Sequence, residues 1–250
     1  MKLQAAARSD VGRRRSANED AFAVAPAQGL YLVADGMGGH VAGQLASRLA
    51  ATSALEALEK IAGSDAAPTE RLRYCVAYAN HSIFATAQAK PEVAGMGTTL
   101  VVVLAAGGRL ALAHVGDSRA YLARDKRIRQ LTDDHSLVAE LVKRRELSPQ
   151  DARGHPHRHV LTRALGVRRQ VEADLAEFTP AAGDLVVLCS DGLTTHVADD
   201  EIVAITAATD DLDAACAQLV ELANRRGGED NVTVVLLRCD ENEAGACERR

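Results

Sequence analysis

The feature that most constrains this chain is a set of short apolar runs that each meet an acid at one end. Residues 30–34 (Leu-Tyr-Leu-Val-Ala) run directly into Asp35-Gly36, residues 110–115 into Gly116-Asp117, and residues 185–190 into Asp191-Gly192. On the entering side, Asn18-Glu19-Asp20 precedes the apolar 21–25, and Glu229-Asp230-Asn231 precedes 232–237. Short apolar runs bounded by Gly or Asp read as strands. Taken singly, each Asp-Gly reads as turn chemistry, because both residues tolerate unusual backbone angles. Taken as a set, the strand ends would gather four or five carboxylates at one edge, where they repel at short range. A bound cation removes that cost. The donors are all oxygen, with no Cys or His cluster among them, which selects hard ions such as Mg²⁺ or Mn²⁺. Gly36 and Gly192, directly after their aspartates, let the backbone come close and lend a carbonyl.

The rest of the chain reads as strands and paired helices. Strands are expected over 4–9, 21–25, 29–34, 98–105, 109–115, 119–124, 172–178, 184–189 and 231–238. Gly107-Gly108 signals a hairpin, as does Gly116-Asp117 between its two apolar runs, and residues 124–129 read as a charged hairpin turn. Helices are expected over 42–62, 69–88, 136–145, 199–208 and 212–226. Leu45, Leu49, Thr52, Leu55 and Leu58 follow the spacing of one buried helical face. Ser148-Pro149 reads as an N-cap with proline in the first turn, and Gly227-Gly228 as a C-terminal stop. Strands joined by short turns are mainly antiparallel, and helices that come in pairs argue for an α+β layered sandwich over a doubly wound parallel sheet. No repeat or linker marks a boundary, so one domain is expected over 1–239, followed by a polar tail over 240–250.

Composition excludes several classes. With 47% hydrophobic and 25% charged residues among 250, the chain is an ordinary globular one. Aromatics make up 3% and tryptophan is absent, so the core must be Ala, Val and Leu. The longest apolar stretch, 98–106, is about half a membrane span, and the N-terminus has no secretory apolar core. A formal net charge of -5 argues against a broad nucleic-acid surface. Cys75, Cys189, Cys216, Cys239 and Cys247 form no C-x-x-C pair, so neither a disulfide framework nor structural zinc is expected, and a cytoplasmic location fits.

Several carboxylates with an arginine nearby suggest chemistry on phosphate. Two ions about 4 Å apart activate water and hold both ends of an in-line displacement, and Arg15 can clamp phosphoryl oxygens bidentately. The motif series Arg15-Ser16-Ala17-Asn18-Glu19-Asp20, Ala34-Asp35-Gly36-Met37-Gly38-Gly39-His40, Gly95-Met96-Gly97-Thr98-Thr99, Val115-Gly116-Asp117-Ser118-Arg119, Cys189-Ser190-Asp191-Gly192-Leu193 and Glu229-Asp230-Asn231-Val232-Thr233 resembles, in order and separation, that of the metal-dependent serine/threonine protein phosphatases (type 2C-like, PPM), in their compact bacterial form. The resemblance covers nearly the whole chain and implies a four-layer α-β-β-α sandwich with the metal centre at one edge of two sheets. It implies that Asp35 bridges two ions, that Gly36 adds a carbonyl, and that Asp191 and Asp230 hold the second ion. Asp20 and Glu19 would bind through water, Asp117 would join Asp191 at a third ion, and Arg15 would bind the substrate phosphate. The implied reaction is in-line attack of water on phosphorus without a phosphoenzyme, on phosphothreonine and phosphoserine of proteins, opposing a partner kinase.

Some positions carry alternatives. Many animal relatives have His directly after the bridging Asp-Gly; here Met37 stands there. The general acid is then His40, or a water on the third ion, and the bland reading of His40 is a hydrogen bond at a helix start. His155, His157 and His159 read as a solvated basic loop rather than a metal tract. They lie in 134–171, the position of the family's flap, whose Lys143, Arg144, Arg145, Arg153, Arg158 and Arg163 either steer phosphorylated proteins or solubilise a helix face. A monomer is the default. Competing functions are a catalytically weak phosphoprotein-binding regulator of the same fold, a stress-regulator phosphatase of the same superfamily, and a Mg²⁺-dependent nucleotide hydrolase. The last is ranked lowest because no G-x-x-x-x-G-K-[ST] loop occurs.

Overall fold

Alternation of buried and exposed residues cannot explain β3 (Leu30–Met37), β5 (Leu100–Ala106), β6 (Arg109–Val115), β10 (Leu185–Cys189) or β11 (Val232–Asp240), which are buried along most of their length. A strand buried on both faces must be covered on both, and the tertiary arrangement supplies that cover. The structure, a computed structural model, describes residues 2–240, without the side chains of His40 and Arg153. One sheet has the order β1-β11-β10-β7-β8, with β1 at Lys2–Asp10, β7 at Arg119–Arg124 and β8 at Arg127–Gln130. The other has the order β2-β3-β5-β6-β9, with β2 at Asp20–Ala25, β9 at Asp174–Phe178, and the two-residue β4 (Gly97–Thr98) on β3. Every pairing is antiparallel.

Helices α1 (His40–Lys60) and α2 (Pro68–Ala89) cover the β2–β9 sheet. On the other side, α5 (Asp191–Thr194), α6 (Asp199–Ala207) and α7 (Leu212–Arg225) cover the β1–β8 sheet. Two short helices, α3 (Leu137–Lys143) and α4 (Pro149–Arg153), lie between β8 and β9 in sequence. The layers are thus α-β-β-α, and three apolar clusters fill the spaces between them. The middle cluster contains Val33, Val101, Leu112, Val186, Leu188 and Val235, all almost fully buried. The expected Ala, Val and Leu core holds, and Tyr31 and Tyr121 are its largest fully buried members.

Two expectations are corrected. Gly116-Asp117 is no hairpin: β6 and β7 belong to different sheets, so this turn carries the chain across the sandwich. The buried face of α1 is also displaced from the leucine row. Ala42, Ala46, Ala50, Ala54 and Ala57 are buried together with Leu58, whereas Leu45, Leu49 and Leu55 are only partly buried and Thr52 is exposed. Small side chains let α1 lie close to both α2 and the sheet, and the longer leucines flank the contact. Elsewhere the turn chemistry performs as expected. Gly107 and Gly108 have φ of 58° and 76°, fitting a two-residue turn that follows the strand twist. Asp125 and Lys126 form the charged turn at φ 51° and 59°, and the residues after it add the edge strand β8. Ser136 and Ser148 accept from Ala139 N and Asp151 N as helix caps. The tail expected over 240–250 lies outside the described residues, apart from Asp240, which ends β11. Cys75, Cys189, Cys216 and Cys239 are free and buried; Cys247 also lies outside. Among the described residues no helix is long and apolar enough to cross a membrane.

Leu188 is fully buried between the sheets. Leu188→Ala is expected to lower the unfolding free energy by about 2–5 kcal/mol in urea titration; a loss below about 1 kcal/mol would show that the inter-sheet core does not hold the layers together.

Candidate metal centre

The acids predicted from sequence meet at one edge of the two sheets. Asp20 opens β2 and lies directly opposite Asp35 of β3 in the strand register. Asp191 opens α5 behind β10, Asp230 precedes β11, and Asp117 sits in the crossing turn. Asp35 feels the charges of Asp20, Asp191, Asp117 and Asp230, and Asp117 in turn feels Asp191. Burial first, and these neighbours after it, push the Asp35 and Asp117 carboxyls well above the ordinary range. Asp20 is pushed up to about 7 by burial and by Asp191 and Asp230, although hydrogen bonds from Thr233 and Ser190 pull it down.

The polar groups around the acids explain why the loops hold them there. Oδ2 of Asp20 accepts from Ser190 Oγ at 2.8 Å and Thr233 Oγ1 at 2.6 Å. Its Oδ1, like Oδ1 of Asp191, is buried and has no hydrogen-bond partner among the described residues. Asp35 N donates to Thr99 Oγ1 at 2.9 Å, its carbonyl accepts from Thr98 Oγ1 at 2.9 Å, and Thr99 Oγ1 shares a 2.7 Å bond with Ser118 Oγ. These bonds turn Thr99 toward Asp35 and interrupt the expected 98–105 strand between β4 and β5. The Asn231 side chain is a staple: Oδ1 accepts from Glu19 N at 2.8 Å, and Nδ2 donates to the carbonyls of Val11 and Ala17 at 2.9 Å each. The expected stop at Gly227-Gly228 has a second use, since Gly228 O accepts from Arg13 N at 2.7 Å and Arg14 N at 3.1 Å. This fixes the approach to Arg15, whose Nη2 lies 2.7 Å from Asp230 Oδ2.

Close backbone approach explains two glycines. A Cβ on Gly36 would fall 2.1 Å from Gly43 O, and one on Gly192 would fall 2.0 Å from Asn231 O. Gly36 N donates to the carbonyl of Glu19, a residue itself buried at 5% exposure. The structure therefore brings Arg15, Glu19, Asp20, Asp35, Gly36, Asp117, Asp191 and Asp230 to one region. His40 begins α1, but its side chain lies outside the described part.

Sequence reasoning gave no individual role to Ser190, Thr233, Asn231, Thr99 or Ser118, although each stands inside a motif it singled out. It also set His159 aside as loop. His155 and His157 do remain in that loop, with His157 N donating to His155 Nδ1, but His159 Nδ1 comes within 3.5 Å of Asp191 Oδ2. Arg158 beside it reaches Glu229 at 3.9 Å, while Arg144 pairs with Glu140 on its own helix and Arg163 with Asp174. A cleft of about 120 Å³ opens there, lined by Arg15, His159, Asp191, His196 and Asp230 among others. A larger groove of about 670 Å³ runs along the β7–β8 hairpin, with Asp125 as the one acid among its lining residues, and has no part in this cluster.

Orphaned carboxylate oxygens, mutual repulsion and an all-oxygen donor set fit hard divalent cations. The sequence matches the family model described as protein phosphatase 2C over residues 12–233. This chain belongs to the protein phosphatase 2C family. It is similar to the serine/threonine phosphatase stp of Listeria monocytogenes, 40% identical over 255 residues that cover 97% of this chain and 98% of the relative. It is 42% identical over 234 residues to the serine/threonine protein phosphatase PstP of Mycobacterium tuberculosis, covering 94% of this chain and 44% of the relative. The crystal structure of the Mycobacterium tuberculosis serine/threonine phosphatase PstP/Ppp superposes with a TM-score of 0.88 at 40% identity, covering 96% of this chain and 99% of that one. The PstP catalytic domain in complex with two manganese ions superposes at 0.84 with 38% identity over 96% of this chain and 99% of that one. The α-β-β-α layering expected from the resemblance is thus the layering of solved members of the family.

The raised carboxyls have a thermodynamic consequence for the metal-free protein. A group with a raised folded pKa stabilises the fold below its unfolded pKa, near 4 for aspartate, and loses that contribution as pH rises through the folded value. For Asp20 the window runs from about 4 to about 7. His135, lowered to about 4, acts oppositely between pH 4 and 6.5, so the test reads a difference between two proteins that share it. In chelator at pH 7.5, Asp35→Asn is expected to melt roughly 2–6 °C above the unsubstituted protein, since relief of about 1–2 kcal/mol moves a domain of this size by that much. The gap should close toward pH 4 and reverse in Mn²⁺. A gap of equal size at both pH values would contradict charge crowding.

Proposed function

We propose that this chain is a metal-dependent protein serine/threonine phosphatase that hydrolyses phosphothreonine and phosphoserine on protein substrates. The observation that carries the reading is the convergence of Asp20, Asp35, Asp117, Asp191 and Asp230 on one region, with Arg15 at its rim. Asp35, the Gly36 carbonyl, Asp191 and Asp230 would hold two Mn²⁺ or Mg²⁺ ions, with Glu19 and Asp20 supporting them and Asp117 joining Asp191 at a third. Such ions supply an acidified water as nucleophile and positive charge against the phosphoryl oxygens. The chain's own residues do the rest. Arg15, already poised on Asp230 at 2.7 Å, swings a planar two-donor fork onto the phosphate. Ser190 and Thr233 keep Oδ2 of Asp20 engaged, which leaves its Oδ1, like Oδ1 of Asp191, as an open acceptor among the described residues. His40, at the first residue of α1, is the group we assign to protonate the leaving alkoxide.

Two relatives are named serine/threonine phosphatases, and one solved neighbour holds two manganese ions. These support the same activity and the same ions for this chain. The finer reading is a cytoplasmic, monomeric signalling enzyme that opposes a Ser/Thr kinase. The acidic, Arg-rimmed cleft favours turnover over passive phosphoprotein binding, because retaining unpartnered buried carboxylates costs stability that a binding module has no use for.

Phosphate release from a phosphothreonine peptide is expected with Mn²⁺ or Mg²⁺ and is lost in chelator. Asp35→Asn should lower turnover at least 100-fold. Arg15→Lys should raise KM about tenfold, the cost of roughly one bidentate contact. His40→Ala should slow release from the phosphothreonine peptide but not from an aryl phosphate, whose leaving group needs no proton. Undiminished phosphate release by Asp35→Asn, or metal-independent release, would sink the assignment.

A further inference from the structure

Beside the carboxylate centre lies a second group of ionisable side chains that the reaction as drawn leaves unused. His114 of β6, His135 in the stretch after β8, and Asp174 at the start of β9 bring possible ligand atoms within 4.8 Å of one another. The two imidazoles are buried and stack with centroids 4.5 Å apart. Two histidines and a carboxylate form a familiar metal donor set. The hydrogen bonds assign them otherwise. Nδ1 of His135 accepts from Gly116 N at 3.1 Å, so the ring proton sits on Nε2, which donates to Asp174 Oδ2 at 3.2 Å. Nε2 of His114 donates to the carbonyl of Asp133 at 2.8 Å. Asp174 already has its cation, with Arg163 Nη1 2.6 Å from Oδ1. An ion here would have to displace both a guanidinium and a main-chain amide.

His135 grips Gly116 twice, because its own N–H also donates to the carbonyl of Gly116 at 2.9 Å. Gly116 has φ of 105° and packs so closely on Thr99 that a Cβ would fall 2.6 Å from its methyl group. Asp117 is the next residue, in a turn that passes between two sheets and belongs to no strand. The direction of its carboxylate therefore depends on how the Gly116 peptide is held. Arg163 lies in the 134–171 segment, so the chain of contacts Arg163–Asp174–His135–Gly116 runs from that segment to the acid of the crossing turn.

We propose that His135 is a positioning residue that, braced by Asp174 and Arg163, orients the Gly116 peptide and so aims the Asp117 carboxylate at the ion site. The inference rests on the phosphatase reading in one respect, that Asp117 serves an ion.

Three substitutions separate the contacts. His135→Asn keeps an acceptor at the δ position for Gly116 and loses the reach to Asp174. His135→Gln keeps a donor at the ε position and loses the δ acceptor. Asp174→Ala removes the brace from a partly exposed side chain, with little risk to folding. The readouts are Mn²⁺ binding by calorimetry, the Mn²⁺ concentration giving half-maximal release from a phosphothreonine peptide, and the melting temperature in chelator. Loss of the δ acceptor is expected to weaken the weakest class of Mn²⁺ sites at least fivefold in His135→Gln, and His135→Asn should restore it to within twofold. Asp174→Ala should shift it two- to threefold in the same direction, and His135→Gln combined with Asp117→Ala should be no worse than Asp117→Ala alone. Equal Mn²⁺ affinities for the Gln and Asn variants, or shifts that merely follow melting temperature, would overturn the positioning role. An unchanged isotherm in Asp174→Ala would overturn the brace even if a histidine variant failed to fold. Unsubstituted protein that neither binds Mn²⁺ nor releases phosphate would overturn the phosphatase reading with it, whereas normal binding and turnover beside indifferent variants would defeat the positioning role alone.

Discussion

Carboxylates crowded at the edge of a two-sheet sandwich repel one another, and much of the local structure is arranged around that repulsion. Burial and mutual charge both favour the neutral form, as the upward displacement of Asp20, Asp35 and Asp117 shows. A fold that accepts this cost must hold the acids from outside the cluster. It does so with neutral donors such as Ser190 and Thr233 on Asp20 and the Asn231 staple, and with basic groups at the rim, above all Arg15 on Asp230. Divalent cations would convert the same repulsion into affinity, because charges that disfavour one another on their own all favour an ion between them. The wish to bind metal and the tendency to lose stability without it are one property.

The sandwich makes such a cluster feasible. Strand ends of two sheets meet at one edge, so each acid is contributed by a different segment and rests on a strand locked into the core. Asp20 and Asp35 share a register, while Asp191 and Asp230 flank the paired β10 and β11. Gly36 and Gly192 permit neighbouring backbones to approach to distances that a Cβ would forbid. Membership of the protein phosphatase 2C family, with solved relatives superposing at TM-scores of 0.88 and 0.84, places this architecture among phosphatases. The charged groups farther out are partitioned. Arg144 stays on its own helix, Arg163 braces Asp174, and Arg158 and His159 lean onto Glu229 and Asp191 at the rim. The basic residues of the 134–171 segment are thus divided between local pairing and contact with the site.

Most strands, the acids at their ends and an α+β layered class could be read from the residue pattern alone, while the α-β-β-α order followed from the family resemblance. Apolar runs bounded by Asp-Gly, Gly107-Gly108 and Gly227-Gly228 encode local preferences that tertiary contacts then reinforce. That Gly116-Asp117 crosses between sheets came from packing, because a two-residue turn looks alike whether the next strand pairs with the last or leaves it. Packing also decided that α1 buries its alanines ahead of its leucines: helical periodicity reports a face, but the closeness of the neighbouring helix selects which of two adjacent rows fits. The supporting residues were hidden for the same reason. Thr99 and Ser118 are 19 residues apart, Asp20 and Thr233 are 213 apart, and no local spacing announces a bond across such a distance. Which side chains carry charge was legible in the chain; which neutral side chains hold those charges in place depended on the packing of two sheets.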